Sequence, residues 1–247
     1  MQPILFHIGT FAVYSYGFCM AVAFIVGSLL LIRDSETFGI AREKAVDIFF
    51  WVLIGGLLGA RFLYVALNWT MFVNDPLRIF AFRDGGMAFQ GGLVLALMFC
   101  YISCRIKKIP FLRMCDLIAP YVALGQAIGR VGCLLNGCCY GKPTTSFFYV
   151  VFPGEEVQRI PVQVYSAIGL AVLFLVLLHI RKQRFSAGVV LASYFMLYSI
   201  LRFTLDFFRG DTPAVWMFMN MSQIICIGIF SVSVLLFGFI YFFSRRR

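Results

Sequence analysis

Charge is scarce in this chain. Only 13% of its 247 residues are Asp, Glu, Lys or Arg, and just 11 are acidic. Soluble domains keep about a quarter of their residues charged. Here 62% are hydrophobic and the mean hydropathy is +0.91, which excludes a soluble globular domain of this size. Histidine is almost missing as well. His7 and His179 are the only two, and neither sits with the arginines of the apolar runs, so no histidine-centred base or metal site is visible. Internal repeats and low-complexity segments are absent, which counts against a transporter built from matched halves with paired broken helices. The N-terminus has neither a basic n-region nor a small-residue cleavage site, so no cleavable signal peptide is expected.

Apolar length is what the chain has in quantity. Seven apolar spans can be drawn, at about 12–32, 46–67, 86–104, 115–135, 162–180, 188–208 and 219–243. Each can cross about 30 Å of hydrocarbon at about 1.5 Å per residue. The expectation is an all-α polytopic membrane protein with about seven transmembrane helices, a single integral membrane domain over residues 1–247. The net charge of +10 could suggest nucleic acid, but its placement speaks of topology. Arg33, Arg42 and Lys44 follow the first span. Arg105, Lys107, Lys108 and Arg113 follow the third, and Arg181, Lys182 and Arg184 the fifth. Arg245, Arg246 and Arg247 end the chain. The alternate loops hold only Arg78, Arg83, Lys142, Arg159 and Arg209. The excess of Lys and Arg on one side places the C-terminus in the cytoplasm and the N-terminus outside.

Three arginines fall inside spans: Arg61, Arg130 and Arg202. An arginine at mid-bilayer depth costs about 2.5–3.5 kcal/mol by insertion scales, so each needs a partner or an anionic ligand. Arg130 lies in Gly-Arg-Val-Gly-Cys-Leu-Leu-Asn-Gly-Cys-Cys-Tyr-Gly, residues 129–141. Glycines there allow close backbone approach and a non-helical end. The stretch reads as a helix end presenting Arg130 to an anion, or else as a small-residue packing run with a snorkelling arginine. Arg202 and Asp206 stand four apart on one helix face and can pair, with Arg209 further along that side. On the predicted topology all three span arginines share one depth, which suggests a single polar cavity near the outer leaflet.

Other features are less specific. Gln90 stands between Gly85-Gly86 and Gly91-Gly92 at the start of the third span. Such glycine pairs weaken helix, so a re-entrant or kinked entry is expected there. Gln90 then serves as a ligand donor or as an interfacial cap. Tyr16 near the start of the first span is most simply an interfacial anchor. The loop from Tyr140 to Pro161, with Lys142, Glu155, Glu156 and Arg159, either covers the cavity or merely connects. Five of the eight cysteines are scattered as small hydrophobes, whereas Cys133, Cys138 and Cys139 cluster. An arginine-lined cavity suits a phosphate-bearing lipid, because guanidinium forks match phosphate oxygens and stay charged. It could equally stabilise a departing phosphate ester. An anionic-lipid transporter or binding protein would fit the same composition.

The run Gly129-Arg130-Val-Gly132, with Asn136-Gly137 and Gly141, resembles the bacterial prolipoprotein diacylglyceryl transferases. The resemblance extends to Tyr16-Gly17, to Gly59-Ala-Arg61 with Tyr64, and to Gly85-Gly86-Met87 with Gly91-Gly92. It continues through Arg159-Ile-Pro161-Val-Gln163-Val-Tyr165 and through Arg202-Phe with Asp206-Phe-Phe-Arg209. It implies a seven-span inner-membrane enzyme that moves diacylglycerol from phosphatidylglycerol to the lipobox cysteine thiol of a preprolipoprotein, releasing glycerol phosphate. The partners implied are phosphatidylglycerol, the lipobox segment and membrane lipids. No nucleic acid, cofactor or metal is implied. Arg130 and Arg202 match the arginines expected to hold the phosphate and stabilise the leaving group. Tyr16, Asn136, Gly141, Asp206 and Arg209 match supporting positions: Tyr16 joins Arg130, Arg202 and Gln90 as a catalytic candidate, and Asn136, Gly141, Asp206 and Arg209 join Arg130 and Arg61 as candidates for substrate binding. Two departures stand out. Gln90 occupies a position where the family often has a histidine, and a glutamine cannot take a proton at neutral pH. Cys133 replaces a common asparagine, and Cys138-Cys139 a pair that is commonly acidic then apolar. The Cys-x4-Cys-Cys spacing is not a recognised ligand pattern, so no metal is expected. A disulfide within the cluster and three free packed thiols both remain open. A transferase of the same fold with another lipid donor or acceptor is the near alternative.

Overall fold

In lipid a backbone must satisfy its own polar groups, and a helix does so locally. The structure, a computed structural model, follows that constraint. It describes residues 2–9, 11–73, 75–81, 85–154, 156–183, 185–211 and 219–244. Arg83, Asp84, Glu155, Arg184 and Arg245, Arg246 and Arg247, used in the charge and loop readings, lie outside the described residues. Helices run at α1 Ser15–Ser35, α2 Arg42–Leu67, α3 Phe89–Ile106, α4 Phe111–Asn136, α5 Val162–Lys182, α6 Val189–Asp206 and α7 Met221–Ser244. Six of them are long and apolar enough to cross a membrane, and α3 supplies a shorter apolar helix. The protein is an all-α polytopic membrane protein.

The first span begins later than its hydropathy predicts. Residues 12–14 belong to a strand, β2 (Phe11–Tyr14), paired antiparallel with β1 (Ile4–Ile8). A short apolar run does not distinguish strand from helix. The helix starts at Ser15, whose backbone N–H donates to the Pro3 carbonyl (2.9 Å) and whose hydroxyl donates to the Gln2 carbonyl. The hairpin is thereby fixed to the head of α1. A second short pair, β3 (Val150–Val151) with β4 (Gln158–Arg159), lies in the loop before α5.

The chain divides into two compact units, residues 1–31 with 115–247, and residues 32–114. In the first, a column of small residues on α4, Ala119, Ala123 and Ala127, receives Leu170, Leu173 and Leu177 of α5 and Val190 and Tyr194 of α6. The spacing of four along α4 and of three and four along α5 keeps each set on one face. Small residues permit close approach where lipid supplies no hydrophobic force between helices. Asp116 of α4 caps α6 from outside that helix. Its carboxylate accepts the N–H of Gly188 (2.6 Å) and of Leu191 (2.8 Å), satisfying amides that a helix start leaves unpaired. The start of α7 caps itself: the Asn220 side chain accepts the Gln223 N–H (2.9 Å) while Gln223 accepts that of Asn220 (3.0 Å).

In the second unit α2 lies against α3. A Cβ placed on Gly59 would stand 2.3 Å from the Gly91 carbonyl oxygen, and one placed on Gly91 2.3 Å from that of Gly59. Gly91 and Gly92 therefore lie inside a regular helix at a tight crossing, in place of the kinked entry predicted for them.

Asp116→Ala leaves two buried N–H groups of α6 without acceptors. We expect a loss of about 1–3 kcal/mol, read as a lower thermal midpoint of the detergent-solubilised protein. An unchanged midpoint would show that the cap contributes nothing.

Candidate active site

The site is built where α4 ends. Gly125, Gly129 and Gly132 turn toward α1, where their nearest neighbours are Ala23, the Met20 sulfur and Cys19. A Cβ on Gly132 would lie 2.9 Å from that of Cys19 and 3.4 Å from the Cα of Tyr16. The small-residue packing reading of the stretch is thus correct for its helical part, and it brings Tyr16 beside the end of α4. The helix then stops in a Schellman turn. Gly137 has a φ of +76°, its N–H donates to the Leu134 carbonyl (3.2 Å), and the Cys138 N–H donates to that of Cys133 (3.1 Å). Cys139 follows with a φ of +62°, a left-handed conformation that costs a non-glycine residue about 1–2 kcal/mol.

Beyond the turn, backbone contacts hold the chain. Gly141 bridges Arg209, the Lys142 N–H donates to the Phe208 carbonyl (2.9 Å), and the Gly210 N–H to that of Tyr140 (3.2 Å). On its other side a Cβ on Gly141 would meet the Ile160 carbonyl oxygen at 2.4 Å. No larger residue fits between α6's end and the start of α5. Gln163, 1% exposed, donates to the Cys138 carbonyl (2.7 Å) and clamps the turn from α5. Arg159 lies over the Tyr140 ring at 4.4 Å. The loop from Tyr140 to Pro161 is thus tied to the site at several points and is no free connector.

Three guanidiniums gather here. Arg202 Nη2 stands 3.0 Å from Asp206 Oδ1, and its Nε donates to the Ser222 hydroxyl of α7 (3.2 Å). Arg209 grips Asp211 with both arms (2.8 and 2.6 Å) and lies 3.9 Å from Asp206. The Asp206 carboxylate is fully buried, and neither of its oxygens receives a well-directed hydrogen bond. It acts as buried negative charge between two arginines. Burial alone would raise the Asp211 carboxyl, but the Arg209 hydrogen bonds and charge outweigh it and hold the group below the usual carboxylate range. Arg130 is different. It lies within electrostatic reach of Arg202, Tyr16, Cys133 and Cys139, yet among the described residues its half-buried guanidinium makes no hydrogen bond or ion pair.

The clustered cysteines line the same place. The sulfurs of Cys133, Cys138 and Cys139 all lie within 4.8 Å of one another, and none is in a disulfide. A hydrogen bond from the Cys133 thiol lowers the Cys139 thiol to about 5, with the charges of Arg130 and Arg209 assisting against burial. Burial raises Cys138, whose sulfur is also within hydrogen-bonding reach of the Asn136 side chain.

The predicted residues therefore divide. Tyr16, Arg130, Asn136, Gly141, Arg202, Asp206 and Arg209 all lie in the first unit around the end of α4 and the end of α6. Arg61 and Gln90 belong to the second. Arg61 is 4% exposed and gives its donors to the backbone carbonyls of Arg78 (2.5 Å), Gly85 (2.6 Å), Ile79 (2.9 Å), Gly86 (3.0 Å) and Ala81 (3.1 Å). It organises the segment after α2 instead of offering a free fork. Gln90 is exposed in the first turn of α3. Gln163 and Ser222 were missed as site residues. Gln163 had a signal in the sequence, a lone amide inside an otherwise apolar helix start.

Fold and site together define a polytopic membrane protein with an arginine-lined polar site at helix ends. A sequence model of the prolipoprotein diacylglyceryl transferases matches residues 3–239. The phosphatidylglycerol–prolipoprotein diacylglyceryl transferase of Clostridioides difficile is 34% identical over 212 residues, 86% of this chain and 85% of the relative. That of Finegoldia magna is 32% identical over 237 residues, 96% of this chain and 94% of the relative. The chain belongs to the prolipoprotein diacylglyceryl transferase family.

Arg61→Lys keeps a charge but cannot reach five carbonyls with a single ammonium. It should lower the thermal midpoint and expose the segment after α2 to limited proteolysis. Protease resistance equal to that of the parent would remove the organising role.

Proposed function

We propose that this chain transfers the diacylglyceryl group of phosphatidylglycerol to the lipobox cysteine thiol of preprolipoproteins and releases glycerol phosphate. The site is placed toward the outer leaflet of the bacterial inner membrane, in keeping with the excess of basic residues on the opposite side. One observation carries this reading beyond family membership. Arg202 and Arg209 are matched by Asp206 and Asp211, whereas Arg130 keeps its hydrogen-bond donors uncommitted. A phosphodiester brings one negative charge and oxygens spaced for a guanidinium fork.

In the reaction the thiol gives up its proton, which ends on the departing phosphate monoester, and the thiolate sulfur attacks the glyceryl carbon that carries the phosphate ester. The sulfur–carbon bond forms, the carbon–oxygen bond breaks, and the departing oxygen keeps the electron pair as a phosphate monoester. Negative charge therefore grows on the phosphate in the transition state. Arg130, with Arg202 nearby and held in place by Asp206 and Ser222, stabilises that charge where it develops. The same positive field favours the thiolate of the incoming cysteine. Gln90 cannot act as a base; its amide serves, if it touches substrate, to position it. Tyr16, packed against Gly132, lines the site from α1. The apolar groove between α6 and α7, whose lining includes Phe203 and Phe230, lies beside Arg202 and suits an acyl chain.

The test uses purified protein in phosphatidylglycerol nanodiscs with a lipobox peptide, and mass spectrometry to follow the diacylglyceryl adduct on the peptide cysteine. We expect the adduct with the parent protein. Arg130→Ala should lower kcat/KM by about 100-fold or more, with the protein still inserted and folded. A folded parent protein without activity, beside a histidine-bearing relative that is active, would move the assignment to another donor or acceptor. Activity at the parent level in both Arg130→Ala and Arg202→Ala would overturn their roles. Gly141→Ala, with its Cβ driven into Ile160, should lose turnover while retaining helix content by circular dichroism. Gln90→Ala should raise KM if the amide positions substrate, and parent kinetics would remove it from the mechanism.

A further inference from the structure

The three cysteines at the end of α4 have no part in the transfer reaction just described. Yet the fold gathers them. Cys133 is in the last turn of α4, and the Schellman turn at Gly137 reverses the chain so that Cys138 and Cys139 return over it. Cys139 is held in the left-handed region, and Gln163 fixes the carbonyl of Cys138. Every pair of sulfurs lies within 4.8 Å, all three residues are half-buried, and all are free thiols.

We propose that Cys133, Cys138 and Cys139 form a trithiolate site for a single thiophilic d10 cation, of which Zn2+ is the representative. The linear spacing argued against a metal, but a ligand set is defined by where the sulfurs meet in space. Zinc–sulfur bonds of about 2.3 Å in tetrahedral geometry put neighbouring sulfurs about 3.8 Å apart. The sulfurs need to close by no more than about 1 Å to reach that arrangement, a movement within the reach of χ1 rotation. Hard cations are disfavoured by an all-sulfur set. The surroundings suit the charge that results. Three thiolates on a divalent cation carry one net negative charge, and Arg130 and Arg209 both lie within electrostatic reach of Cys139. Three protein ligands leave a fourth position for water or another small ligand, as in open zinc sites. The metal complex would then stand against Arg130, and its occupancy would oppose entry of a second anion there.

The test is direct binding of Zn2+ to the full-length protein, reduced and metal-free, in detergent and without lipid substrate. It is therefore independent of whether the transferase reading holds. We expect one equivalent of zinc, with X-ray absorption showing sulfur neighbours at about 2.3 Å. Thiol titration should then find three fewer reactive cysteines. Cys139→Ser, Cys138→Ser or Cys133→Ser should each weaken binding by about 10–100-fold or more, as loss of a direct ligand exceeds the effect of outer-shell changes. The double variant of Cys100 and Cys104, a pair within α3, should bind as the parent does. Three outcomes would overturn the proposal. The first is no zinc bound to protein whose thiols are shown to be reduced. The second is binding unchanged in all three single variants. The third is a protein that takes up no zinc because two of these sulfurs oxidise to a disulfide in air as soon as reductant is removed, seen as a mass lower by a pair of hydrogens. Should one serine variant fail to fold, the remaining two decide the matter.

Discussion

A guanidinium in an apolar protein cannot shed its proton, so every arginine within the spans must find oxygen. That requirement shapes both units of this chain. In the second, Arg61 is answered by backbone: five carbonyls converge on one side chain, and an irregular segment that lipid would not tolerate becomes a cradle. In the first, Arg202 and Arg209 are answered by Asp206 and Asp211. The pair with the buried Asp206 adds little net stability, because desolvation offsets attraction, and the exposed Arg209–Asp211 pair adds little because water screens it. Their effect is to fix position. A guanidinium already held by a carboxylate and a serine needs no reorganisation when charge develops beside it, which is the condition for electrostatic catalysis. Arg130 remains the exception, half-buried and without a hydrogen bond among the described residues. Function is read from the arginine that the fold leaves unanswered.

Small residues set where that arginine stands. Gly132 lets α4 touch α1 at Cys19 and Tyr16, and Gly141 lets the following strand of chain pass between Ile160 and Gly210. They act through spacing: α4 cannot be shifted by a side chain's width without moving Arg130 away from Arg202.

The helices were legible because a span needs only length and apolar content, and both are local properties of the chain. The pairing of Arg202 with Asp206 was legible for the same reason, since four residues on a helix define one face. What was hidden depended on long-range geometry. Residues 11–14 are as apolar as the helix they precede, so nothing local marked them as β2. Gly91 and Gly92 looked like helix breakers because their value lies in the distance to α2, which no linear pattern reveals. Arg61 looked like Arg130 and Arg202 by composition and predicted depth, and the carbonyls of Arg78, Ile79, Ala81, Gly85 and Gly86 tell them apart. The meeting of the three cysteine sulfurs was hidden for a like reason. A Schellman turn brings residues five and six positions apart onto one side, a relation that ligand patterns drawn from ribbons and fingers do not include.

The cysteines also bear on how the family's chemistry persists here. The resemblance places a common acid where Cys138 stands, beside the same arginines. A lone thiol is a poor substitute, being mostly neutral at pH 7. A cluster is another matter. Within it Cys133 donates a hydrogen bond that favours the anion on Cys139, and a divalent cation held by all three would leave one negative charge on the assembly. Either form puts a negative charge at the end of α4. In either form the anion stands within electrostatic reach of Arg130 and Arg209 and contends with a phosphate for the uncommitted Arg130. The cluster proposed above would answer to thiophilic cations, which a carboxylate in its place would ignore.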